Sequence, residues 1–294
     1  MIQKKIIGLF VVIISSAIVS CGGTTSASPQ ETYAYTDDYG TTSDIPVHPQ
    51  RIVSTSPAVT EIIFALGGSH LLVGRTDFCV YPTEAKDITS IGGISNLNIE
   101  RIVSLNPDLV ISGSMIPKKS TLQMEKMGVP TVCVIEQKRF EGLYDNISKI
   151  GTLIGKNEAA DSLNTLIRKR LDSLNTQSNA ETKSVYYVVG YGASGNFTAG
   201  GDSFINDIIR LAGGKNVAEN SSGWSYSLEE LLKQDPEYII IRREDSATFC
   251  RMAPYNRLRA VKEGRVIAIE SGLIDLQVPR NIEAIQFIHQ RLHP

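Results

Sequence analysis

One stretch of the chain occurs twice, and this repeat constrains the fold more than any other feature. Residues 99–111 read I-E-R-I-V-S-L-N-P-D-L-V-I and residues 228–240 read L-E-E-L-L-K-Q-D-P-E-Y-I-I, a shift of 129 positions. Each copy predicts a short helix with a glutamate in its first turn, then a Pro-acid turn and a buried strand. A second matched pair lies upstream of each copy, where Glu61 opens the triplet E-I-I and Asp207 opens D-I-I. Two units repeated in the same order predict two similar lobes.

Predicted strands alternate with short helices in both halves, a pattern typical of α/β units around a largely parallel sheet. Between the halves lies one long helix, whose apolar stripe has spacings of 3, 4, 4 and 3 residues. The stripe consists of Ala160, Leu163, Ile167, Leu171 and Leu174. We therefore predict an N-terminal α/β lobe over residues 45–156, an interlobe helix over 157–178 and a C-terminal α/β lobe over 179–294.

The N-terminus has the pattern of an export signal. Two lysines precede an apolar run over residues 6–19, which is too short to span a bilayer. Cys21 follows in a sequence that resembles a lipobox, so residues 1–21 are predicted to be a lipoprotein signal peptide with Cys21 as the lipidated residue. An ordinary signal peptide or an uncleaved anchor is the alternative. Residues 22–44 are rich in Gly, Ser, Thr, Asp and Tyr and predict a flexible tether.

Composition excludes several classes of function. Without Lys4 and Lys5, which leave with the signal, the chain has 27 basic and 31 acidic residues and a formal net charge of −4, so nucleic-acid binding is not expected. His289 and His293 stand four residues apart but lack an acidic partner, and no Cys or His spacing indicates a metal site. No nucleophile–base motif is present, so we predict no catalytic residue and no cofactor.

Three cysteines remain besides Cys21. Outside the cytosol one pair of Cys79, Cys133 and Cys250 can form a disulfide and leave one thiol free. Cys133 lies in an apolar run and is expected to be buried, whereas the other two fall in loop-like sequence.

Residues 190–195 read G-Y-G-A-S-G directly after a predicted strand and match the dinucleotide fingerprint. The context does not fit, because N-F-T-A-G-G follows where an amphipathic helix is required. A flexible loop over a cleft, with Phe197 as an exposed aromatic, fits this segment better. An exported dinucleotide-dependent oxidoreductase is the alternative from another class, and a surface adhesin or sensor is a third.

Two further groups of side chains suggest binding. Glu100 and Glu229 occupy the same position in the two repeats; a carboxylate there is stabilised by the helix dipole, and a matched pair also suits docking to two arginines of a symmetric partner. Phe78, Tyr81, Phe197 and Trp224 fall in loops at strand ends, where open α/β sheets bind ligands.

Four segments together resemble the periplasmic cobalamin-binding protein family, one of the class III solute-binding proteins of ABC importers, which also include ferric-siderophore and haem receptors. The segments are residues 51–61, 74–82, 98–111 and 211–217. The resemblance covers the chain from about residue 45 to its end. It implies two Rossmann-like lobes with largely parallel central sheets, joined by a single long backbone helix, with the ligand in a cleft between them.

The resemblance also implies a function, partners and site residues. The expected protein is a monomeric, lipid-anchored, non-enzymatic receptor outside the cytoplasmic membrane, which delivers a metal chelate to an ABC permease dimer with its ATPase subunits. Cobalamin is the leading ligand, and a haem or ferric siderophore is the alternative. Glu100 and Glu229 stand at the permease-docking positions. The implied ligand-binding residues are Pro57, Phe78, Ile94, Phe197, Trp224 and Arg280.

The sequence departs from the cobalamin pattern at two positions. Ile94 stands where a cobalamin binder of the family has a tryptophan, and Leu276 stands where it has an arginine near the ligand. Arg75 and Arg280 are the basic candidates for contact with an anionic siderophore.

Overall fold

The computed structural model describes residues 30–175 and 181–294, so the predicted signal peptide, Cys21, the first part of the predicted tether and the end of the predicted interlobe helix lie outside the described residues. The strands are β1 (Thr32–Thr36), β2 (Thr42–Pro46), β3 (Ile52–Ser54), β4 (Leu72–Arg75), β5 (Leu109–Gly113), β6 (Thr131–Val134), β7 (Lys183–Val188), β8 (Gly214–Asn216), β9 (Tyr238–Arg242) and β10 (Val266–Ile269). The helices are α1 (Pro57–Ala65), α2 (Ile99–Ser104), α3 (Lys118–Lys126), α4 (Gly142–Leu153), α5 (Asn157–Asn175), α6 (Phe204–Leu211), α7 (Leu228–Gln234), α8 (Arg243–Arg251), α9 (Arg259–Lys262) and α10 (Asn281–Leu292).

Two four-stranded parallel sheets form the centres of the two lobes. Their strand orders are β4-β3-β5-β6 and β10-β9-β7-β8. When the strands are numbered within each lobe, both sheets have the order 2-1-3-4. The predicted α/β fold with two similar lobes is therefore confirmed, and the repeated sequence forms the third strand of each sheet with the helix before it.

Helix α5 joins the lobes by packing on both. Its buried residues Ala160, Ile167 and Leu171 belong to one hydrophobic cluster that also includes Ile147 of α4 and Ile285 of α10. Helix α4 packs in the N-terminal lobe and α10 in the C-terminal lobe, so a single apolar stripe on α5 ties together elements of both.

The two repeats begin with the same kind of helix cap. Asn98 precedes α2 and its Oδ1 accepts a hydrogen bond from the Arg101 backbone N–H at 2.9 Å. Ser227 precedes α7 and its Oγ accepts from the Glu230 backbone N–H at 3.4 Å. Each cap satisfies one of the backbone donors that the first turn of a helix leaves unpaired.

The Pro-acid turn of each repeat is also built the same way. Asn106 and Asp235, which precede the prolines, have left-handed φ values of 47° and 41° and are the non-glycine residues with positive φ among those described. Asn and Asp tolerate this region better than other side chains. After the proline, Asp108 accepts from the Gln50 N–H at 2.7 Å and Glu237 accepts from the Ser184 N–H at 3.0 Å. The repeated acid thus fixes the turn to the start of the first strand of its lobe.

Residues 32–44 are not the tether that their composition predicts. They form the β1–β2 hairpin, whose Tyr33 and Tyr35 pack against the main hydrophobic cluster. The hairpin loop binds the edge of β6, because Asp37 and Asp38 accept hydrogen bonds from the backbone N–H groups of Cys133 (3.1 Å) and Ile135 (2.8 Å). Polar loop residues here satisfy strand-edge donors, which composition alone does not reveal.

The three described cysteines carry free thiols, and His289 and His293 pack against each other. Cys79, Cys133 and Cys250 are free thiols, and Cys250 lies on α8 rather than in a loop. His289 is buried with its Nδ1 3.2 Å from the Ala212 carbonyl, and its ring packs on that of His293. Within the two described ranges, no group of three potential metal ligands comes together, and no helix is both long and apolar enough to cross a bilayer.

The left-handed turn makes a testable stability prediction. Asn106→Ala should lower the free energy of unfolding in urea by about 1–2 kcal/mol, since a Cβ without a polar group disfavours this conformation. Asn106→Gly should lower it less than Asn106→Ala, because glycine adopts positive φ freely. Asn220→Ala, an exposed asparagine outside such a turn, serves as control. Equal stability of the Ala and Gly variants at position 106 would contradict the assigned backbone.

Candidate ligand-binding cleft

The carboxyl ends of the two sheets converge at one place. The segments that leave β6 and β10 touch there: Gln277 accepts from the Gln137 N–H at 2.9 Å and donates to the carbonyls of Gln137 at 3.3 Å and Arg139 at 2.8 Å. The loops at these strand ends therefore border a cleft whose floor is the contact between residues 135–140 and 270–280. Open α/β sheets bind ligands at their carboxyl ends.

The loop after β4 presents Phe78 to solvent from an anchored base. Thr60 and Thr76 each place a hydroxyl 3.2 Å from the buried Cys79 thiol, while Phe78 is 60% exposed. The Phe78 ring also lies against Gly93, since a Cβ at that glycine would be 3.7 Å from the ring. The structure thus brings Phe78 beside the segment that carries Ile94. An exposed phenylalanine on a fixed loop is a ready contact for an apolar ligand.

Pro57 begins α1 at the carboxyl end of β3, and the adjacent end of β5 carries an exposed residue that the sequence did not single out. Met115 is 65% exposed. It follows Gly113, whose Cα lies so close to Ser56 that an added Cβ would be 2.6 Å from the serine Cβ. Pro57 and Met115 therefore border the same edge of the sheet. Because the two strand ends are neighbours, these two apolar residues can contribute to one surface, which their positions in the sequence do not show.

The glycine-rich segment 190–195 is a hydrogen-bonded loop, and Phe197 is half-buried rather than exposed. Phe197 exchanges backbone hydrogen bonds with Gly190, and a Cβ at Gly190 would be 3.0 Å from its ring. A Cβ at Gly195, where φ is 109°, would be 3.3 Å from the same ring. The glycines give Phe197 room, and no long helix follows until α6, so the dinucleotide context is absent in this loop.

Trp224 lies beside Phe197 in the C-terminal lobe. The Trp224 carbonyl accepts from the Thr198 N–H at 2.8 Å, and Ser225 pairs with Phe197 as an isolated bridge. The indole is nevertheless 50% exposed. The loops after β7 and β8 therefore place two of the predicted ligand residues side by side on one edge of the cleft.

Arg280 meets a buried carboxylate of the opposite lobe. Its Nε and Nη2 donate to Glu61 at 2.6 and 2.9 Å, and the Tyr81 ring stacks on the guanidinium with 3.7 Å between the central carbon and the ring centroid. Glu61 is 5% exposed, and burial raises the pKa of its carboxyl against the opposing effect of Arg280. One edge of the guanidinium is thus occupied by Glu61 and one face by Tyr81.

Asp207, the residue that the repeat matches to Glu61, makes the corresponding contact from the C-terminal lobe to the N-terminal lobe. Its carboxylate is fully buried, lies 2.9 Å from the Arg139 guanidinium and accepts from the Phe140 N–H at 3.0 Å. The acid of α1 reaches the start of α10, and the acid of α6 reaches the segment before α4. The second matched pair of the sequence therefore joins the lobes twice.

Two more arginines near the cleft have partners within the chain. Arg75 donates to the carbonyls of Thr76 (3.0 Å), Ala85 (3.1 Å) and Lys86 (3.0 Å). Arg242, at the carboxyl end of β9, donates from Nε to Asp275 at 3.1 Å, and Asp275 also bonds the buried Tyr187 hydroxyl. Sequence reasoning missed Arg242, although a basic residue directly after the apolar run I-I-I was a usable signal.

Glu100 and Glu229 are exposed on the first turns of α2 and α7. Neither carboxylate forms an ion pair or a side-chain hydrogen bond with another of the described residues. Helices between parallel strands run opposite to the strands, so their first turns lie toward the carboxyl edges that border the cleft. Each lobe thus presents one matched carboxylate on the cleft side.

A cavity of about 580 Å³ is lined by Tyr81 and Arg280 but not by Phe78, Phe197 or Trp224. Its lining includes Phe64 of α1, Leu163 and Ile167 of α5, and Ile282 of α10, beside the Glu61–Arg280 pair. Phe78 and Trp224, which are exposed, lie in the strand-end loops rather than in this lining.

Similarity to known proteins identifies the family of this chain. A family model described as periplasmic binding protein matches residues 52–273. The chain belongs to the periplasmic binding protein family. The resemblance carried by residues 51–61, 74–82, 98–111 and 211–217 is thereby confirmed, and the family is one of binding proteins rather than enzymes.

Several relatives cover most of this binding protein. The ABC transporter substrate-binding lipoprotein YvrC of Bacillus subtilis is 28% identical over 311 aligned positions, covering 99% of this chain and 98% of that protein. A cobalamin-binding protein of Halobacterium salinarum is 28% identical and covers 83% of this chain and 70% of its own length. Among solved structures, a periplasmic haem-binding protein from Pseudomonas aeruginosa has a TM-score of 0.76 at 25% identity, covering 84% of this chain and 93% of its own.

The interlobe ion pair of this binding protein gives a stability prediction. Glu61→Ala leaves the buried Arg280 guanidinium unpaired and should lower the free energy of unfolding by about 3–5 kcal/mol. The combined variant Glu61→Leu with Arg280→Met removes both charges and should recover most of that loss. Urea denaturation measures both. Glu84→Ala, an exposed carboxylate near the same cavity, should change stability by less than about 0.5 kcal/mol. A double variant no more stable than Glu61→Ala would argue against the pair.

Proposed function

We propose that this protein is the solute-binding component of an ABC importer, which captures a corrinoid between its lobes and delivers it to a permease dimer with ATPase subunits. The observation that carries the proposal is the pair of exposed aromatic residues, Phe78 and Trp224, one on each border of the cleft. Large rigid aromatic surfaces on both sides suit a broad, largely apolar chelate. The name of the Halobacterium salinarum relative, a cobalamin-binding protein, supports the ligand, and the name of the Bacillus subtilis relative supports the role in an ABC transporter.

Charge favours a corrinoid over the two alternatives, a haem or a ferric siderophore. Haem carries two propionates and many ferric siderophores are anionic, so their receptors need unpaired cations in the cleft. Here Arg242 and Arg280 are bound by carboxylates and Arg75 by three carbonyls. Cyanocobalamin has no net charge and a periphery of uncharged amides, which matches a cleft whose arginines already have partners.

Titration with cyanocobalamin tests the ligand. Trp224 is the one tryptophan of the chain, so its fluorescence reports the cleft directly. We expect saturable quenching with a dissociation constant at or below about 1 μM, equivalent to about −8 kcal/mol. Absence of binding at micromolar ligand in fluorescence and calorimetry would rule out the corrinoid.

A matched pair of variants separates the cleft from the surface. Phe78→Ala should weaken cyanocobalamin binding about tenfold or more, since aromatic contacts carry much of the energy at such sites. Leu122→Ala removes an exposed apolar side chain from α3 and should leave affinity unchanged within about twofold. Equal effects of the two substitutions would argue against ligand contact at Phe78.

We further propose that Glu100 and Glu229 dock to arginines of the two permease subunits. Their matched positions, their exposure and the lack of a described side-chain partner for either carboxylate support this role. Charge pairs between proteins fix register and orientation, and a twofold-related pair of sites suits a symmetric dimer.

Removal of both carboxylates should separate ligand capture from delivery. In Glu100→Ala with Glu229→Ala, cyanocobalamin affinity should stay within about twofold. Transport with the cognate permease should fall about tenfold or more, which corresponds to a loss of about 1.4 kcal/mol in the free energy of docking. Glu230→Ala is the control, because it removes a neighbouring carboxylate from the same first turn of α7. Loss of ligand affinity, or an equal effect of Glu230→Ala on transport, would contradict the docking role.

Lipid anchoring at Cys21 completes the proposal and gives the protein an exported, membrane-attached location. The lipobox-like sequence before Cys21 supports it, as does the lipoprotein name of the Bacillus subtilis relative. Mass spectrometry of the mature N-terminus should find a diacylglyceryl-modified Cys21, and Cys21→Ser should move the protein from the membrane fraction to the soluble fraction. An unmodified mature N-terminus at another residue would contradict the anchor.

A further inference from the structure

Glu136 lies at the carboxyl edge of the N-terminal sheet, where the two lobes meet. It follows β6 by two residues and directly precedes Gln137, which binds Gln277 of the other lobe. The Ser114 hydroxyl, at the end of the neighbouring strand β5, is 3.5 Å from Glu136 Oε2. Glu136 is therefore adjacent in sequence to the contact that forms the floor of the cleft, and its carboxyl lies at the end of β5.

Among the described residues, Glu136 differs from Glu61, Asp207 and Asp275 in having no cation within ion-pair distance, and the exposed Glu270 has none either. Glu61, Asp207 and Asp275 each lie within ion-pair distance of an arginine. No Lys, Arg or His among the described residues pairs with Glu136, and Ser114 is the polar side chain that reaches it. Burial raises the pKa of this carboxyl. Glu136 is partly buried, and a group that hydrogen-bonds to a partly buried acid without a counter-charge stabilises it.

We infer that Glu136 is a specificity-determining residue, which hydrogen-bonds a primary amide on the periphery of the corrinoid and disfavours a carboxylate at the same place. The inference rests on the proposed corrinoid function. An amide donates its N–H to a carboxyl oxygen and, if the acid is protonated, accepts the acid proton at its own oxygen. A ligand carboxylate instead brings two acids together, and like charges at short range oppose the ionisation of both.

The test compares cyanocobalamin with its monocarboxylic acids, in which one peripheral amide is hydrolysed to a carboxylate. Wild-type protein should bind at least one of these isomers about tenfold more weakly than cyanocobalamin, about 1.4 kcal/mol. Glu136→Gln, which keeps the shape and removes the acid, should reduce that ratio to within about threefold. The ratio of the two affinities is the readout, since a purely structural change would alter both ligands together.

Controls keep the outcomes distinct. Glu158→Gln removes an exposed carboxylate from α5 and should leave the ratio at its wild-type value. If cyanocobalamin binds but its acids bind equally well, or Glu136→Gln keeps the wild-type ratio, the role of Glu136 is overturned and the corrinoid proposal stands. If the wild-type protein binds no corrinoid at all, the corrinoid proposal fails and the role of Glu136 with it.

Discussion

Two buried carboxylates that cross the lobe boundary set the geometry on which the cleft depends. Glu61 and Asp207 occupy matched positions in the first helix of each lobe, and each reaches an arginine that belongs to the other half. Buried ion pairs add little net stability over apolar packing, but breaking one is costly. Their effect is therefore to hold one relative placement of the lobes. Gln277 adds three hydrogen bonds with the segment that leaves β6, so the carboxyl edges of both sheets meet at a fixed distance.

The proposed ligand contacts lie in the loops above this floor, and these loops are themselves anchored. The loop of Phe78 is held by hydroxyl contacts to the buried Cys79 thiol, and the glycine-rich loop is held by Tyr255, whose hydroxyl accepts from the Gly192 N–H at 2.9 Å. The aromatic side chains project from rigid bases, which lowers the entropy that binding must remove. The arginines near the cleft are bound in the same way, because Arg280 pairs with Glu61 across the lobes while Arg75 and Arg242 are bound within their own lobes.

The sequence predicted what depends on local pattern. The repeat, its short helices and its Pro-acid turns could be found because each is a short-range signal with its own physical cause. It could not predict that residues 32–44 pair as a hairpin, since their acids are satisfied by a strand about a hundred positions away. It also mistook Phe197 for an exposed residue, because the glycines that receive its ring look like a flexible loop. Nor could it distinguish a free arginine from a paired one, as Arg75 and Arg280 illustrate.

The duplication itself separates the parts of the molecule by function. The two halves share the strand order, the Pro-acid turns, the interlobe acids Glu61 and Asp207, and the acids Glu100 and Glu229, which are proposed to meet a symmetric permease. Features that differ lie at the cleft: Phe78 follows β4 in one lobe, whereas Phe197 and Trp224 follow β7 and β8 in the other, and Ser271 stands two residues after β10 where Glu136 stands two residues after β6. A symmetric partner preserves symmetry in the surface that binds it, whereas a corrinoid has two unlike faces and a polar rim. The loss of repeat symmetry around the cleft is therefore what an asymmetric ligand requires.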